Sequence, residues 1–173
     1  YIHIPFCKSL CGYCDFYSIT DNSLKAALVQ ALMHEASMRS SYLEGEPVET
    51  IYLGGGTPSL LETDETAALL EAVMKNFSLD KNPEITVEVN PDDVHDGYIG
   101  ALKKAGVNRI SLGLQSWNDK LLRYMGRRHD AAQSARALDT VFGEGIENVS
   151  ADIIYGLPGM TIADLRSDLE KTL

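Results

Sequence analysis

The chain is poor in cysteine, in basic charge and in long apolar runs, and each shortage excludes something. Three cysteines among 173 residues are an odd number, so a closed disulfide framework would leave one thiol over. Lysine and arginine number 15 against 25 aspartates and glutamates, and a net charge of −10 is poorly suited to holding a phosphate backbone. Nucleic acid is therefore not an expected partner. No apolar run reaches the length of a membrane span, and no signal peptide is visible.

What is present describes a globular protein. Hydrophobic residues make up 45% of the chain, which is enough to bury a core at this length. No sequence repeat, low-complexity tract or linker divides it, so we expect residues 1–173 to form one domain or a piece of one. Unpaired thiols fit a reducing compartment, and the expected location is cytoplasmic.

The cysteines are concentrated in one short segment. Cys7, Cys11 and Cys14 are spaced C-x3-C-x2-C, directly after an apolar run that stops at Pro5. Three thiolates on one loop can hold three irons of a [4Fe–4S] cube and leave the fourth iron free to bind a small molecule. A zinc site is the alternative, with His3 as the candidate for its fourth ligand. The third interpretation is that these are three unrelated core cysteines.

Short apolar segments alternate with longer helical patterns along the whole chain. This alternation is typical of a parallel sheet, because parallel strands need crossover connections, which are usually helices. The predicted strands lie near 1–5, 50–54, 84–89, 108–114 and 148–154. The predicted helices lie near 22–41, 63–76, 93–104, 118–125, 130–143 and 161–172.

Local signals indicate where some of these helices begin and end. Thr63 or Asp64 is a plausible N-cap for the second helix, and Thr161 with Asp164 resembles a capping box that has Asp in place of Glu. Gly145 lies where the fifth helix should end.

Each predicted strand has one apolar and one polar face, since side chains alternate along a strand. In the third strand Val87 and Val89 oppose Glu88. Parallel strands covered on both sides would be apolar on both faces. We therefore expect helices on the apolar face and a barrel lumen on the polar face, with Glu88, Gln115 and Asp152 at the rim where barrel enzymes keep their chemistry. An open sheet with one solvated face is the alternative.

Several motifs together resemble a known family. Besides the cysteine spacing, they are YIHIPFC at 1–7, GGGTPS at 54–59, EVNP at 88–91, SLGLQS at 111–116 and DIIYGLPG at 152–159. They resemble the radical S-adenosylmethionine (radical SAM) superfamily, and within it the branch of oxygen-independent coproporphyrinogen III oxidase and its relatives, which include a haem chaperone. The resemblance covers nearly the whole chain. It implies an α/β fold, a partial (β/α)6 TIM-like barrel, of which residues 1–173 hold about five β/α units; the last unit of the radical SAM core and a C-terminal domain would be absent.

The resemblance also implies a [4Fe–4S] cluster and S-adenosylmethionine (SAM) as cofactors. Cys7, Cys11 and Cys14 would hold three irons, and the amine and carboxylate of SAM would chelate the open one. One electron from the reduced cube then cleaves a carbon–sulfur bond of SAM to give a 5′-deoxyadenosyl radical, while the protein positions the cofactor and excludes water. The residues that match family positions in contact with SAM are Tyr1, Tyr13, Gly55, Gly56, Thr57, Glu88, Gln115, Arg127 and Asp152.

Some of these residues also have a plainer interpretation. The glycines at 54–56 suit a tight turn before a helix, and they are not a Walker loop because no Gly-Lys-Ser/Thr follows. Arg127 suits a solvated charge at a helix end. Glu88 would be costly to bury on a barrel strand without a cationic or hydrogen-bonding partner, so we expect a partner beside it.

Two functions within the family stay open, and a third hypothesis lies outside it. The oxidase branch has a further cysteine two residues after the third, where this chain has Phe16. The resemblance is therefore stronger to the relatives that include the haem chaperone, which binds haem and hands it to a recipient protein. The alternatives are an oxidase that decarboxylates the propionates of coproporphyrinogen III and a zinc-stabilised structural domain. The expected partners are haem or porphyrin, a haem-recipient protein and an electron donor for the cluster.

Overall fold

The computed structural model describes residues 1–173 as five strands and six α-helices, with one helix after each strand except for two between the fourth and fifth strands. The strands are β1 (Ile2–Ile4), β2 (Val48–Gly55), β3 (Leu79–Val89), β4 (Arg109–Gln115) and β5 (Asn148–Ile153). The helices are α1 (Lys25–Met38), α2 (Thr63–Asn76), α3 (Tyr98–Lys104), α4 (Asp119–Met125), α5 (Ala131–Gly143) and α6 (Ile162–Thr172). Short 3-10 turns, Pro58–Leu60 and Pro91–Asp93, follow β2 and β3.

All five strands pair in parallel in the order β1-β2-β3-β4-β5. Crossovers between neighbouring strands share one hand, so their helices collect on one side and the sheet curves around the other. The result is an open, partial (β/α)6 barrel, and this prediction is confirmed. None of the six helices combines the length and the hydropathy that a crossing of the bilayer requires.

The core lies between the sheet and the helices. One row of partners across the sheet runs through Ile2, Leu53, Val87, Ile110 and Val149. The three central members of this row are at most 1% exposed, because the helices cover their face of the sheet. Truncating such a side chain to alanine typically costs about 2–5 kcal/mol of stability.

The opposite face of the sheet is polar, as the alternation predicts. The Arg109 guanidinium donates to the hydroxyls of Thr86 (3.4 Å) and Ser150 (3.1 Å), and the Ser150 hydroxyl donates to that of Ser111 (3.1 Å). These bonds occupy the concave side near the beginnings of β4 and β5. The space that is left lies towards the carboxyl ends of the strands.

The differences from prediction lie at the ends of elements. Helix α3 begins at Tyr98 rather than near 93, because the 3-10 turn and the left-handed Gly97 (φ 77°) come first. Strand β3 begins at Leu79 rather than near 84, where it pairs with Val48 ahead of an irregularity in the register. The first residues of α3 and β3 are thus set by neighbouring turns and strands, which the apolar pattern of the sequence does not reveal.

The predicted helix caps gave a mixed result. The capping box at α6 is confirmed, since Thr161 N–H donates to Asp164 Oδ2 (2.8 Å) and Asp164 N–H donates to Thr161 Oγ1 (3.1 Å). Gly145 ends α5 with a positive φ of 74°. The N-cap of α2 is Glu62, not Thr63 or Asp64, and its N–H donates to the Glu65 carboxylate (2.9 Å).

Candidate cofactor site

A cavity of about 260 Å³ lies where the carboxyl ends of the strands meet the cysteine loop, which we define as residues 7–18. All three cysteines line it. The other predicted residues that line it are Tyr13, Gly55, Gly56, Thr57, Glu88, Gln115, Arg127 and Asp152. These residues come from strands and loops far apart in sequence, and the fold brings them to the rim where barrel enzymes keep their chemistry.

The cysteine loop is held at its base and at its tip. Cys7 N–H donates to Ile19 O (2.9 Å) and Ile19 N–H donates to Pro5 O (2.7 Å), which closes the base. Gly12 N–H donates to Met125 O (3.2 Å) at the end of α4. The loop is therefore anchored beside β1 at its base and at the end of α4 at its tip.

The three thiols share the cavity but differ in exposure. Cys7 is buried at 9% exposure, Cys11 is half-buried and Cys14 is exposed. No trio of His, Cys, Asp or Glu side chains in the chain is gathered closely enough to hold a single metal ion. His3 instead hydrogen-bonds the Tyr1 hydroxyl through Nδ1 (3.1 Å) and Tyr17 O through Nε2 (3.0 Å). The ligand set that the zinc hypothesis requires is not assembled.

Two donors reach the sulfur atoms. The Thr57 hydroxyl donates to Cys7 Sγ at 3.3 Å, and Arg127 Nη1 lies 3.7 Å from Cys11 Sγ. Hydrogen bonds from a charged donor such as the guanidinium are the stronger kind. Cys7 and Cys11 therefore each have a hydrogen-bond donor beside the sulfur atom.

Glu88 extends from β3 into the cavity, and its carboxylate is held from two sides. The Tyr52 hydroxyl donates to Oε1 (2.8 Å), and Gly55 N–H donates to Oε2 (3.1 Å). Burial raises the pKa of Glu88, and these two hydrogen bonds oppose that shift. Burial and the bond to Glu88 raise the pKa of Tyr52 to about 12, so its hydroxyl stays a donor at neutral pH. The partner expected for Glu88 is thus supplied by the protein itself.

The glycines at the end of β2 pack closely against β1 and the residues that follow it. A Cβ at Gly56 would lie 2.8 Å from Phe6 O and 2.9 Å from Pro5 C, and the Gly56 N–H donates to Ile4 O (2.8 Å). Gly55 has a φ of 117°, and a Cβ there would lie 2.6 Å from the His3 ring. The tight-turn interpretation is wrong for Gly54 and Gly55, which are the last residues of β2, while Gly55 and Gly56 also line the cavity.

Arg127 is the most connected side chain in the cavity. Its Nη2 donates to Asn90 Oδ1 (2.6 Å) and to Gly113 O (3.0 Å), beside the contact of Nη1 with Cys11. A Cβ at Gly113 would lie 3.3 Å from Nη2, so glycine leaves the room that the guanidinium uses. Arg127 Nε is buried without a partner. The interpretation of Arg127 as a solvated charge at a helix end is wrong.

Gln115 reaches the cavity from a strained backbone. Its φ of 67° lies in the left-handed region, which is uncommon for residues other than glycine and persists where the surroundings enforce it. Ile154 N–H donates to Gln115 O (2.9 Å), while Asp168, buried on α6, accepts from the Ser116 hydroxyl (2.7 Å) and Trp117 N–H (2.8 Å). Helix α6 thus fixes the turn that carries Gln115.

The other predicted residues differ in their surroundings. Burial raises the pKa of Asp152, and the cations of Arg109 and Arg127 oppose that shift. The Tyr13 hydroxyl accepts from Arg127 Nη1 (3.5 Å), and burial is the main cause that raises the pKa of Tyr13 to about 12. Tyr1 is not brought to the cavity.

Tyr1 lies 73% exposed outside the cavity, with its ring stacked on Tyr52. The ring centroids are 6.0 Å apart and the planes meet at 22°. Because Tyr52 donates a hydrogen bond to Glu88, Tyr1 supports the site only indirectly, through Tyr52.

Comparison with known proteins identifies the family. The model of the radical SAM superfamily matches residues 1–172. The chain belongs to the radical SAM superfamily. Among curated relatives, the haem chaperone HemW of Lactococcus lactis subsp. lactis is 40% identical over 174 residues, and that of Escherichia coli K12 is 36% identical over 178. These alignments cover 100% of this radical SAM chain but only 45% and 46% of the relatives, so the chain spans a little under half of their length.

Two solved structures have the same fold as this chain. The coproporphyrinogen III oxidase HemN from Escherichia coli superposes with a TM-score of 0.89 at 31% identity, over 98% of this chain and 40% of that one. Methylornithine synthase (PylB) gives a TM-score of 0.68 at 17% identity, over 98% of this chain and 48% of that one, which is a likeness of fold alone.

Asn90 and Ser59, which are not among the predicted site residues, hold the predicted residues in place. Asn90 accepts from Arg127, and its Nδ2 lies 3.5 Å from Thr57 Oγ1. Its backbone N–H donates to the Ser59 hydroxyl (3.2 Å). Asn90 lies in the motif at 88–91 and Ser59 in the motif at 54–59, so the sequence did mark these two positions. It did not indicate which residues they contact.

Proposed function

We propose that this radical SAM chain holds a [4Fe–4S] cluster on Cys7, Cys11 and Cys14 and binds SAM in the adjoining cavity. We further propose that it is part of a haem chaperone. The observation that carries the proposal is the convergence of the three thiols with Glu88 and Arg127 on one cavity at the carboxyl ends of a half-barrel. The family itself implies the two cofactors.

The thiols suit a cube better than a single metal ion. A [4Fe–4S] cube takes each thiolate at a different iron, so its ligands need not converge on one point. The donors on Cys7 and Cys11 complement the negative charge that such ligands carry. When bound, the reduced cluster supplies the electron that cleaves SAM. The chain's own part is to hold the sulfur atoms, orient SAM and keep water out.

The charges around the cavity match the groups of SAM. Arg127 lines the cavity as a cation, and a guanidinium forms charge-assisted hydrogen bonds with a carboxylate such as that of SAM. Glu88 and Asp152 are acceptors suited to an ammonium, a sulfonium or ribose hydroxyls. Gln115 offers an amide that makes no hydrogen bond within the protein. We assign all four to SAM.

The remaining predicted residues have lesser roles in this proposal. Gly55, Gly56 and Thr57 present backbone and a hydroxyl to the methionyl end of SAM, as in the family. Tyr13 flanks the adenine through its backbone. Tyr1 acts through its stack on Tyr52 and does not touch SAM.

The names of the curated relatives favour a haem chaperone. Phe16 also stands at the mouth of the cavity, 70% exposed, where the oxidase branch carries a cysteine. Haem binding, delivery to a recipient protein and reduction by an electron donor belong to the whole protein, of which this chain matches less than half in the relatives. The second candidate is coproporphyrinogen III oxidase, which the similarity to HemN favours.

A turnover assay decides between the two candidates. The whole protein, purified and reconstituted anaerobically, is incubated with reductant, SAM and coproporphyrinogen III, with a known oxidase as the positive control. The haem chaperone yields no protoporphyrinogen, and haem added separately shifts its Soret band. Measurable product establishes the oxidase instead, and a cluster-loaded protein that gives neither product nor a Soret shift is not a haem chaperone.

A further inference from the structure

Asp93 is a buried carboxylate at the end of the 3-10 turn after β3. It does not line the cavity and is not among the proposed ligands of the cluster or SAM. Its side chain is 3% exposed. Lys8 Nζ lies 2.6 Å from its Oδ1, and the Ser59 hydroxyl donates to its Oδ2 at 2.7 Å. Arg128 Nη2 lies 3.6 Å from Oδ1. A carboxylate removed from water in this way depends on such partners, because an unpaired buried charge is strongly destabilising.

The partners of Asp93 come from three different segments around the cavity. Lys8 follows Cys7 in the cysteine loop, and Ser59 lies in the turn after Thr57. Arg128 follows Arg127, and it also pairs with Asp92 (Nη1 to Oδ2, 2.6 Å). One carboxylate therefore joins the segments that carry the cysteines, the threonine donor and the proposed SAM-binding arginine.

The cysteine loop has few other attachments to the barrel. Apart from the contacts of Arg127, residues 8–14 are bonded to the rest of the structure only by Gly12 N–H to Met125 O and by Lys8 to Asp93. Lys8 is 48% exposed and Asp93 is 3% exposed, so the carboxylate is the fixed member and the loop is the part drawn to it.

We propose that Asp93 is a positioning residue that locks the cysteine loop over the cavity through Lys8. The consequence for the cluster rests on the proposed function, since it assumes that Cys7, Cys11 and Cys14 hold one. With the pair intact, Cys7 stays buried and the loop stays closed. Without it, the loop opens more often, and both the thiol and a bound cluster become accessible to small molecules.

The first test uses the protein without a cluster. In a Cys11→Ser, Cys14→Ser background only Cys7 remains as a thiol, and its rate of alkylation by neutral iodoacetamide reports opening of the loop. Lys8→Met should accelerate labelling about tenfold, the population shift expected for one charge-assisted hydrogen bond. Iodoacetamide is uncharged, so loss of the Lys8 charge does not change its attraction to the protein. Acceleration of labelling therefore reports opening of the loop.

Matched variants separate positioning from general destabilisation. Lys8→Arg keeps the cation and should stay near the wild-type rate. Lys103→Met removes a different lysine contact between two segments, Lys103 Nζ to Glu144 O (2.7 Å), at residues that do not line the cavity, and should leave labelling unchanged. Asp93→Asn should accelerate labelling, and adding Lys8→Met to it should add little, because both remove one interaction. An unchanged rate in Lys8→Met, or equal acceleration in Lys103→Met, overturns the proposal.

The second test uses the native cysteines after anaerobic reconstitution. Iron should pass to an external chelator about tenfold faster from Lys8→Met than from wild type or Lys8→Arg. A wild-type protein that takes up no cluster contradicts the proposed function, while the alkylation rates still decide whether the lock exists. Equal iron release from a wild-type and a Lys8→Met cluster contradicts the lock and leaves the proposed function standing.

Discussion

Replacing Gly56 by alanine adds one methyl group at the point where β2 passes the end of β1. An ideal Cβ there would lie 2.8 Å from Phe6 O, 2.9 Å from Pro5 C and 3.0 Å from Ile4 O. All three neighbours are backbone atoms of the segment that leads into Cys7, so no flexible side chain can move aside. The clash can be relieved only by displacing that segment.

The change in stability combines two losses and one smaller gain. Overpacking of a tight contact costs about 1–3 kcal/mol. Weakening the Gly56 N–H bond to Ile4 O, now 2.8 Å, costs about 1 kcal/mol more. The stiffer unfolded chain of an alanine variant returns about 0.4–1 kcal/mol. The expected net loss for Gly56→Ala is therefore about 1–3.5 kcal/mol in the free energy of unfolding.

Gly12→Ala is the matched control. Gly12 lies in the cysteine loop itself, between Cys11 and Cys14, but a Cβ there would meet nothing within 4 Å. Its substitution should change the free energy of unfolding by no more than about 0.5–1 kcal/mol, in either direction. If glycine were needed only because of nearness to the cysteines, Gly12→Ala would lose more stability than Gly56→Ala.

Urea unfolding followed by circular dichroism measures both variants, and iron content after reconstitution reports the position of Cys7. Gly56→Ala should lower the midpoint without changing the slope, and should take up less iron than Gly12→Ala. The reasoning is refuted if Gly56→Ala is as stable as wild type, or if Gly12→Ala loses as much stability as Gly56→Ala.

Three further predictions concern single side chains. Burial first, and the Arg127 cation second, lower the pKa of His129 below 6.5, so the unfolded chain takes up the proton first as the pH falls. Wild type should therefore lose stability below about pH 6.5 by up to about 1.4 kcal/mol per pH unit. In urea titrations His129→Gln should lose less stability per pH unit over this range. A variant whose stability falls with pH as steeply as that of wild type contradicts this prediction. Tyr52→Phe removes one donor from Glu88 and should weaken SAM binding about tenfold by calorimetry, while an unchanged affinity would separate Glu88 from SAM. Thr57→Val removes a donor from sulfur and should lower the midpoint potential of the cluster in a redox titration, and a potential that stays or rises contradicts it.

The sequence alone could predict the layout of the barrel because that layout depends on local rules. Strand alternation placed Glu88 opposite Val87 and Val89, and the structure has the two valines in the core and the glutamate in the cavity. The cysteine spacing placed three thiols on one loop. The family motifs named eight residues besides the cysteines that the fold does bring to the cavity.

The contacts that hold the site could not be predicted, because they join segments far apart in sequence. Asp93 and Lys8 are 85 positions apart, and Asp168 supports the turn after Gln115 from a helix about 50 residues later. Nothing in a local pattern pairs such residues. Tyr1 was assigned to the cavity from its motif, but its ring instead stacks on Tyr52.

Anaerobic reconstitution with analysis of bound metal and sulfide tests the central claim most directly. The account predicts about four irons and four sulfides per chain, an absorbance that bleaches with dithionite, and a paramagnetic resonance signal of the reduced cluster that changes when SAM is added. Replacing Cys14 by alanine should abolish this loading. A colourless protein that carries zinc, or a cluster whose signal SAM leaves unaltered, would contradict the claim that this half-barrel holds an iron–sulfur cube with one iron open to SAM.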